Sequence, residues 1–254
     1  MMRNYRMPII GKTLSSAVLM LAFLVAPSLI ANSHSSSSKP ENIVATSAVT
    51  NRATEEAAAV VAEAGMLYDA MDLESHGLAK EAFEYAFKGY KTLLNEGRVS
   101  KSEVLTVADF SKSSREKRLY ILDVEDQKIL MQTYVAHGRN SGGEYATSFS
   151  NAPESHKSSL GFYVTKNTYR GGHGLSLVLD GVEKGINDNA EARKIVVHGA
   201  NYIGSDDLKG RSFGCPAVAN NLSKKVIQTI KDGSVLFIYH PASSYLNKSR
   251  ILNG

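Results

Sequence analysis

The sequence predicts a mainly β fold with an N-terminal helical pair, α+β overall. Three observations predict it. Residues 53–96 carry apolar side chains at helical spacing, residues 103–135 change to a period of two, and the second half holds short apolar runs between glycine-bearing turns. Many short strands of this kind close into a sandwich or a barrel-like sheet.

The chain opens with Arg3, Arg6 and Lys12, followed by a mostly apolar run over residues 14–31. Ala26-Pro27-Ser28 and Ala31-Asn32-Ser33 offer small-residue cleavage sites. Residues 1–31 therefore read as a secretory signal peptide. An uncleaved N-terminal anchor is the competing reading, because the run reaches the lower bound of about 18 residues for a spanning helix. Pro27 and the serines weigh against it, and the absence of a nearby cysteine argues against a lipoprotein. The expected location is the periplasm or cell envelope. Residues 32–51, with Ser35-Ser36-Ser37-Ser38, read as a disordered Ser-rich linker.

Val60, Ala64, Leu67 and Met71 form one stripe of a helix over residues 53–71. Ala79, Phe83, Ala86, Tyr90 and Leu93 do the same over residues 78–96, and Gly97 supplies a stop. These stripes are packing surface rather than a ligand cage. Two helices cannot bury them alone, so residues 52–98 should dock on the β-rich domain C-terminal to them. Residues 99–242 form that domain. Its strand candidates are residues 105–110, 119–122, 129–135, 161–165, 176–179, 194–197 and 234–239. The polar link 123–128 suits a hairpin, Asp232-Gly233 marks a turn, and residues 222–231 are the one helix expected there. Residues 243–254 read as a C-terminal tail.

Charge excludes one class of partner. Of 29 basic residues, removal of Arg3, Arg6 and Lys12 leaves 26 against 25 acidic ones. No basic stripe is interleaved with aromatics, so no nucleic acid is implied. A single cysteine, Cys215, makes neither an intramolecular disulfide nor a cysteine metal cluster. No helical His-x-x-x-His pair exists either, so neither a metal nor a cofactor is expected. An unpaired thiol in an exported chain is either reactive or a small buried hydrophobe.

Val196-Val197-His198-Gly199 places a histidine at the end of an apolar run, and Gly210-Arg211-Ser212-Phe213-Gly214-Cys215-Pro216 places the thiol in a turn. A free cysteine has a pKa of about 8.5, so only a few per cent is thiolate at neutral pH. An adjacent imidazole would take its proton. Glycine beside the nucleophile lets a carbonyl approach the backbone, and the N–H groups of Gly214 and Cys215 are expected to face the developing oxyanion.

A histidine and a cysteine at this spacing carry little alone, but the wider text is specific. His198-Gly199 followed by Ser212-Phe213-Gly214-Cys215 resembles the signature of L,D-transpeptidases of the YkuD type. His137-Gly138-Arg139-Asn140-Ser141-Gly142, Phe149-Ser150-Asn151, Ser158-Ser159-Leu160-Gly161-Phe162-Tyr163, Gly185-Ile186-Asn187-Asp188 and the stretch from Gly210 to Val218 resemble the murein L,D-transpeptidase catalytic-domain family within it. The resemblance implies a β-sandwich with a catalytic cysteine in a cleft, acting on peptidoglycan stem peptides. A thioester would form on the third residue of the stem, usually a diamino acid, with release of terminal D-alanine, and an amine acceptor would then take the acyl group. Water as acceptor would make the protein an L,D-carboxypeptidase.

Carried onto this chain, the resemblance makes Cys215 the nucleophile, His198 the base and the Gly199 carbonyl the group that orients it. Ser212, Gly214 and Cys215 line the oxyanion side, and Phe213, Arg211, Tyr202, His137 and His173 are candidate substrate-binding residues. His156 reads as loop surface and His240 as structural. The chain departs from the pattern at Phe213, where a histidine is usual, and at Pro216-Ala217-Val218, which leaves carboxylate recognition unassigned. A non-catalytic cell-wall-binding domain is the remaining alternative. The sequence does not set the oligomeric state.

Overall fold

The computed structural model describes residues 43–203 and 212–254. The expected signal or anchor and most of the Ser-rich linker lie outside the described residues. Helix α1 spans Ile43–Ala70 and α2 spans Lys80–Asn95. Residues 43–51, expected as linker, are instead the first turns of α1. Once the Ala- and Glu-rich stretch from residue 53 is helical, each residue added upstream gains a hydrogen bond without a new nucleus. Of the predicted stripe, Ala64, Leu67 and Met71 are buried along α1 and Val60 is half-buried, while Tyr68, outside the stripe, is buried with them. Along α2 the buried set is Ala82, Phe83, Ala86, Phe87, Gly89, Tyr90 and Leu93. Ala79 falls outside it as the exposed N-cap. Gly97, at φ 67°, closes the helix.

Eight strands come next: β1 (Val104–Asp109), β2 (Leu119–Asp123), β3 (Lys128–Thr133), β4 (Gly161–Gly171), β5 (Gly174–Gly181), β6 (Val196–Ala200), β7 (Ala217–Ala219) and β8 (Val235–Tyr239). Helix α3 (Asn220–Ile230) lies between the last two. The strands form one sheet in the order β3-β2-β1-β8-β4-β5-β6-β7. Two pairs are parallel, β1 with β8 and β6 with β7. Isolated bridges Ala136↔Ala217 and Gly138↔Ser212 join the chain just beyond β3 to the segment around β7. The two ends of the strand order therefore meet. The fold is mainly β with a helical pair, as expected.

The strands β1, β2, β6 and β8 are buried along their whole length, not on alternate residues. Helices cover three of these: α2 packs on β1 and β8, and α3 on β6. Buried side chains of α1, α2 and the strands share one core. The closest approach is at Gly89 of α2, where any Cβ would collide with the Phe162 ring.

Two motif clusters prove to be fasteners. Asn187, fully buried, donates to the Leu160 and Phe162 carbonyls and accepts the Glu183 N–H. Glu183 accepts the Phe162 N–H at 2.8 Å, the Tyr245 hydroxyl at 3.1 Å and the Ser249 hydroxyl. Burial pushes the Glu183 carboxyl up, and those three donors pull it back. Residues 243–254, expected as a tail, thus carry the short helices α4 (Ser243–Leu246) and α5 (Arg250–Asn253), docked through Tyr245, Ser249, Ile251 and Leu252. A buried carboxylate needs partners, and the end of the described chain provides two of them.

Candidate active site

The Cys215 loop is tied down from several directions. Ser212 N–H donates to the His137 carbonyl at 3.3 Å, and Arg139 N–H donates to the Ser212 carbonyl at 2.7 Å. The Ser158 hydroxyl accepts the Gly138 N–H and donates to the Gly214 carbonyl, both at 3.0 Å. The buried Ser212 hydroxyl donates to the Cys215 carbonyl at 2.6 Å and accepts the Gly214 N–H at 3.2 Å. Gly214 sits at φ 116°, a region closed to other residues. A Cβ there would also lie 2.7 Å from the Lys157 carbonyl oxygen and 3.2 Å from Arg193 Nη2. One expectation needs correcting here: the Gly214 N–H does not face open space, because the Ser212 side chain has already taken it.

The thiol of Cys215 is partly buried. Its Sγ accepts the Val196 N–H at 3.5 Å and donates to the Lys194 carbonyl at 3.6 Å. Burial raises the thiol pKa, and the Val196 N–H and the Arg193 guanidinium counter only part of that rise.

His198 is the third residue of β6 and is buried. Its Nδ1 lies 2.8 Å from the Gly199 carbonyl oxygen. A carbonyl only accepts, so Nδ1 carries the proton and the free lone pair is on Nε2. Burial holds the imidazole below its usual pKa, the Gly199 contact raises it, and neighbouring His173 lowers it further. His173, exposed on the β4–β5 turn, stacks on His198 with ring centres 4.3 Å apart. A cleft of about 730 Å³ opens here, lined by His173, His198, Gly199, Tyr202, Arg170 and Lys224, among others.

His198 and Cys215 lie on neighbouring segments. In the parallel β6–β7 register His198 faces Ala217, so Cys215 is two residues back. The imidazole is not a hydrogen-bond partner of the sulfur, and Cys215 does not line the cleft. The expected thiol–imidazole bond is therefore absent in this state, because the backbone of residues 194 and 196 holds the sulfur.

His137 was expected to border the cleft but is fully buried. Arg118 Nη2 donates to its Nδ1 at 2.7 Å, and its Nε2 lies 3.2 Å from the Gly142 carbonyl oxygen. Burial and the Arg118 charge lower its pKa to about 4. Its apolar flank, Tyr134-Val135-Ala136, carries it into the core instead of out of it. Phe213 is 60% exposed and lies outside the cleft. It packs 4.6 Å from the His156 ring and 4.5 Å from the Arg139 guanidinium. Arg211 lies outside the described residues. Tyr202 and His173 line the cleft with His198.

The sequence reading missed Arg193 and Arg139. Arg193 donates to the Ser150 carbonyl at 2.8 Å and the Lys157 carbonyl at 2.6 Å. Its place in Glu191-Ala192-Arg193-Lys194 looks like ordinary surface. Arg139 stands inside the His137–Gly142 motif, which was the available signal.

The family model described as the L,D-transpeptidase catalytic domain matches residues 74–239. No curated protein matches the chain. Among solved structures, an L,D-transpeptidase from Mycobacterium smegmatis is 12% identical, with a TM-score of 0.35 over 54% of this chain and 59% of that one. The helical cell shape determining protein Pgp2 (K307A mutant) of Campylobacter jejuni is 16% identical, with a TM-score of 0.38 over 61% and 57%. An L,D-transpeptidase from Stackebrandtia nassauensis is 14% identical, with a TM-score of 0.35 over 65% and 69%. The chain spans less than two thirds of the length of the first two.

Proposed function

Because the chain belongs to the L,D-transpeptidase catalytic-domain family, we propose that it is an exported cysteine acyltransferase that acts on peptidoglycan stem peptides. The observation that carries this reading is the His198 Nδ1–Gly199 contact, which leaves Nε2 as a base on the strand beside the nucleophile loop. In the proposed reaction, rotation about the Cys215 Cα–Cβ bond frees the sulfur from Val196. Sγ bonds to the carbonyl carbon of the third stem residue while its proton passes to His198 Nε2, and the carbonyl π pair moves to oxygen. The Cys215 N–H is the remaining backbone donor for that oxyanion. Collapse breaks the peptide bond, and the D-alanine amine leaves with the proton from His198. An acceptor amine then attacks the thioester, loses a proton to His198, and releases the sulfur.

Incubation with a carbapenem tests this. Stoichiometric adduct at Cys215 by mass spectrometry, slowed at least about a hundredfold by His198→Ala, is the expected result; no adduct on folded protein overturns it. One observation favours a second reading, a wall-binding domain with a dormant site: the sulfur is bonded to the backbone rather than to the imidazole, and burial raises the thiol pKa. That reading predicts no adduct, together with peptidoglycan binding that survives Cys215→Ala. Water in place of the amine gives the carboxypeptidase outcome, read as tripeptide product without cross-links.

A further inference from the structure

The nucleophile loop carries a second polar assembly on its outer side. Arg139 is exposed, and its backbone N–H is bonded to Ser212. Its Nε and Nη2 both point at His156 Nδ1, at 3.2 and 2.6 Å. Nδ1 accepts here, so the imidazole orients the guanidinium without neutralising it. His156 adopts φ 53°, which costs about 1 kcal/mol or more. That conformation sets its ring against Phe213, which covers the pair. No carboxylate pairs with Arg139 among the described residues. A planar guanidinium has five N–H groups, so the Nη1–Nη2 end still presents two parallel donors. This is a fixed cation with an open fork, stacked on an exposed aromatic, Phe213, that precedes Cys215 by two positions in the chain.

We propose that Arg139, His156 and Phe213 form the subsite for the C-terminal carboxylate of the donor peptide. The proposal rests on the stem-peptide reading above. The leaving D-alanine ends in a carboxylate one residue beyond the attacked carbonyl, and a guanidinium fork matches that group in shape and charge. Phe213 holds the guanidinium plane by cation–π contact. In this chain it is therefore a positioning residue for carboxylate recognition.

Equilibrium titration of the full chain carrying Cys215→Ala, which stops turnover, provides the test. The probes are a stem tetrapeptide ending in free D-alanine and the same peptide as its C-terminal carboxamide. The acid is expected to bind at least about tenfold more tightly than the amide, the range of one charge-assisted pair. Arg139→Gln should erase that preference and leave amide binding unchanged, while Arg139→Lys should keep part of it. Melting curves of the variants serve as the folding control. An acid–amide preference that survives Arg139→Gln, or no preference in the parent, overturns the proposal. The carbapenem experiment fails independently: a missing adduct with an intact Arg139-dependent preference removes the acyltransferase reading and keeps the subsite.

Discussion

Burial lowers the His198 pKa and raises that of Cys215, and these opposite shifts set the pH behaviour. The imidazole pKa is lowered, so the base form persists to more acidic pH than for a free histidine. The acid limb of kcat/KM should lie below pH 6.5, the ordinary histidine value. The thiol is raised, so alkylation by iodoacetamide should stay slow at neutral pH and climb only above its ordinary value. A thiolate–imidazolium pair would instead give fast alkylation at neutral pH. His137 makes a second prediction. Unfolded, it takes a proton below about pH 6.5; folded, it resists until about 4, because protonated Nδ1 would face the Arg118 guanidinium. Its contribution to stability is therefore complete above the unfolded value and is lost as pH falls through that window, by about 3 kcal/mol. Urea unfolding at about pH 7 and about pH 4 should show a flatter pH dependence for His137→Gln than for the parent. The sequence made His198, Gly199 and Cys215 legible through a motif. It placed His137 at the cleft, whereas the apolar flank carries it into the core, where its partner Arg118 reads from the sequence as a surface cation.

The helix–sheet contacts at Gly89 put two effects in opposition. Alanine in a helix interior is favoured over glycine by about 1 kcal/mol. At residue 89 the new methyl would drive into Phe162, which is fully buried and stacked on Phe237 at 4.1 Å. Overpacking costs about 1–3 kcal/mol, so Gly89→Ala should lower the melting temperature despite its propensity gain. Gly214→Ala faces both a left-handed φ and the Lys157 carbonyl. It should lower Cys215 adduct formation more than it lowers the melting temperature, which parallel mass spectrometry and calorimetry would separate. The long strands and the two N-terminal helices were legible because their apolar spacing is local. β7, only three residues long, was not, since its partners His198–Ala200 and Ala136 come from elsewhere in the chain. The helices α4 and α5 were missed for the same reason: Glu183, which they serve, is more than 60 residues away.

At the scale of the whole described unit, the N-terminal helices are not an appendage. Tyr68 donates to the Leu78 carbonyl and packs on Phe83, and Tyr90 donates to the Ser102 carbonyl at the entry to β1. A chain that begins at residue 99 would expose the apolar faces that α2 covers on β1 and β8, and it should lose its cooperative thermal transition by circular dichroism. Helix α2 packs on β1 and β8, a face that was not readable from its apolar stripe. Glu183 adds a consequence for biogenesis. Polypeptides emerge amino end first, and the hydroxyls that cap this carboxylate belong to residues 245 and 249. Until residues 243–254 leave the ribosome, the half-made domain holds this acid against hydrocarbon with the Phe162 N–H as its donor but without the two hydroxyls, so that segment acts as the latch that lets the fold set.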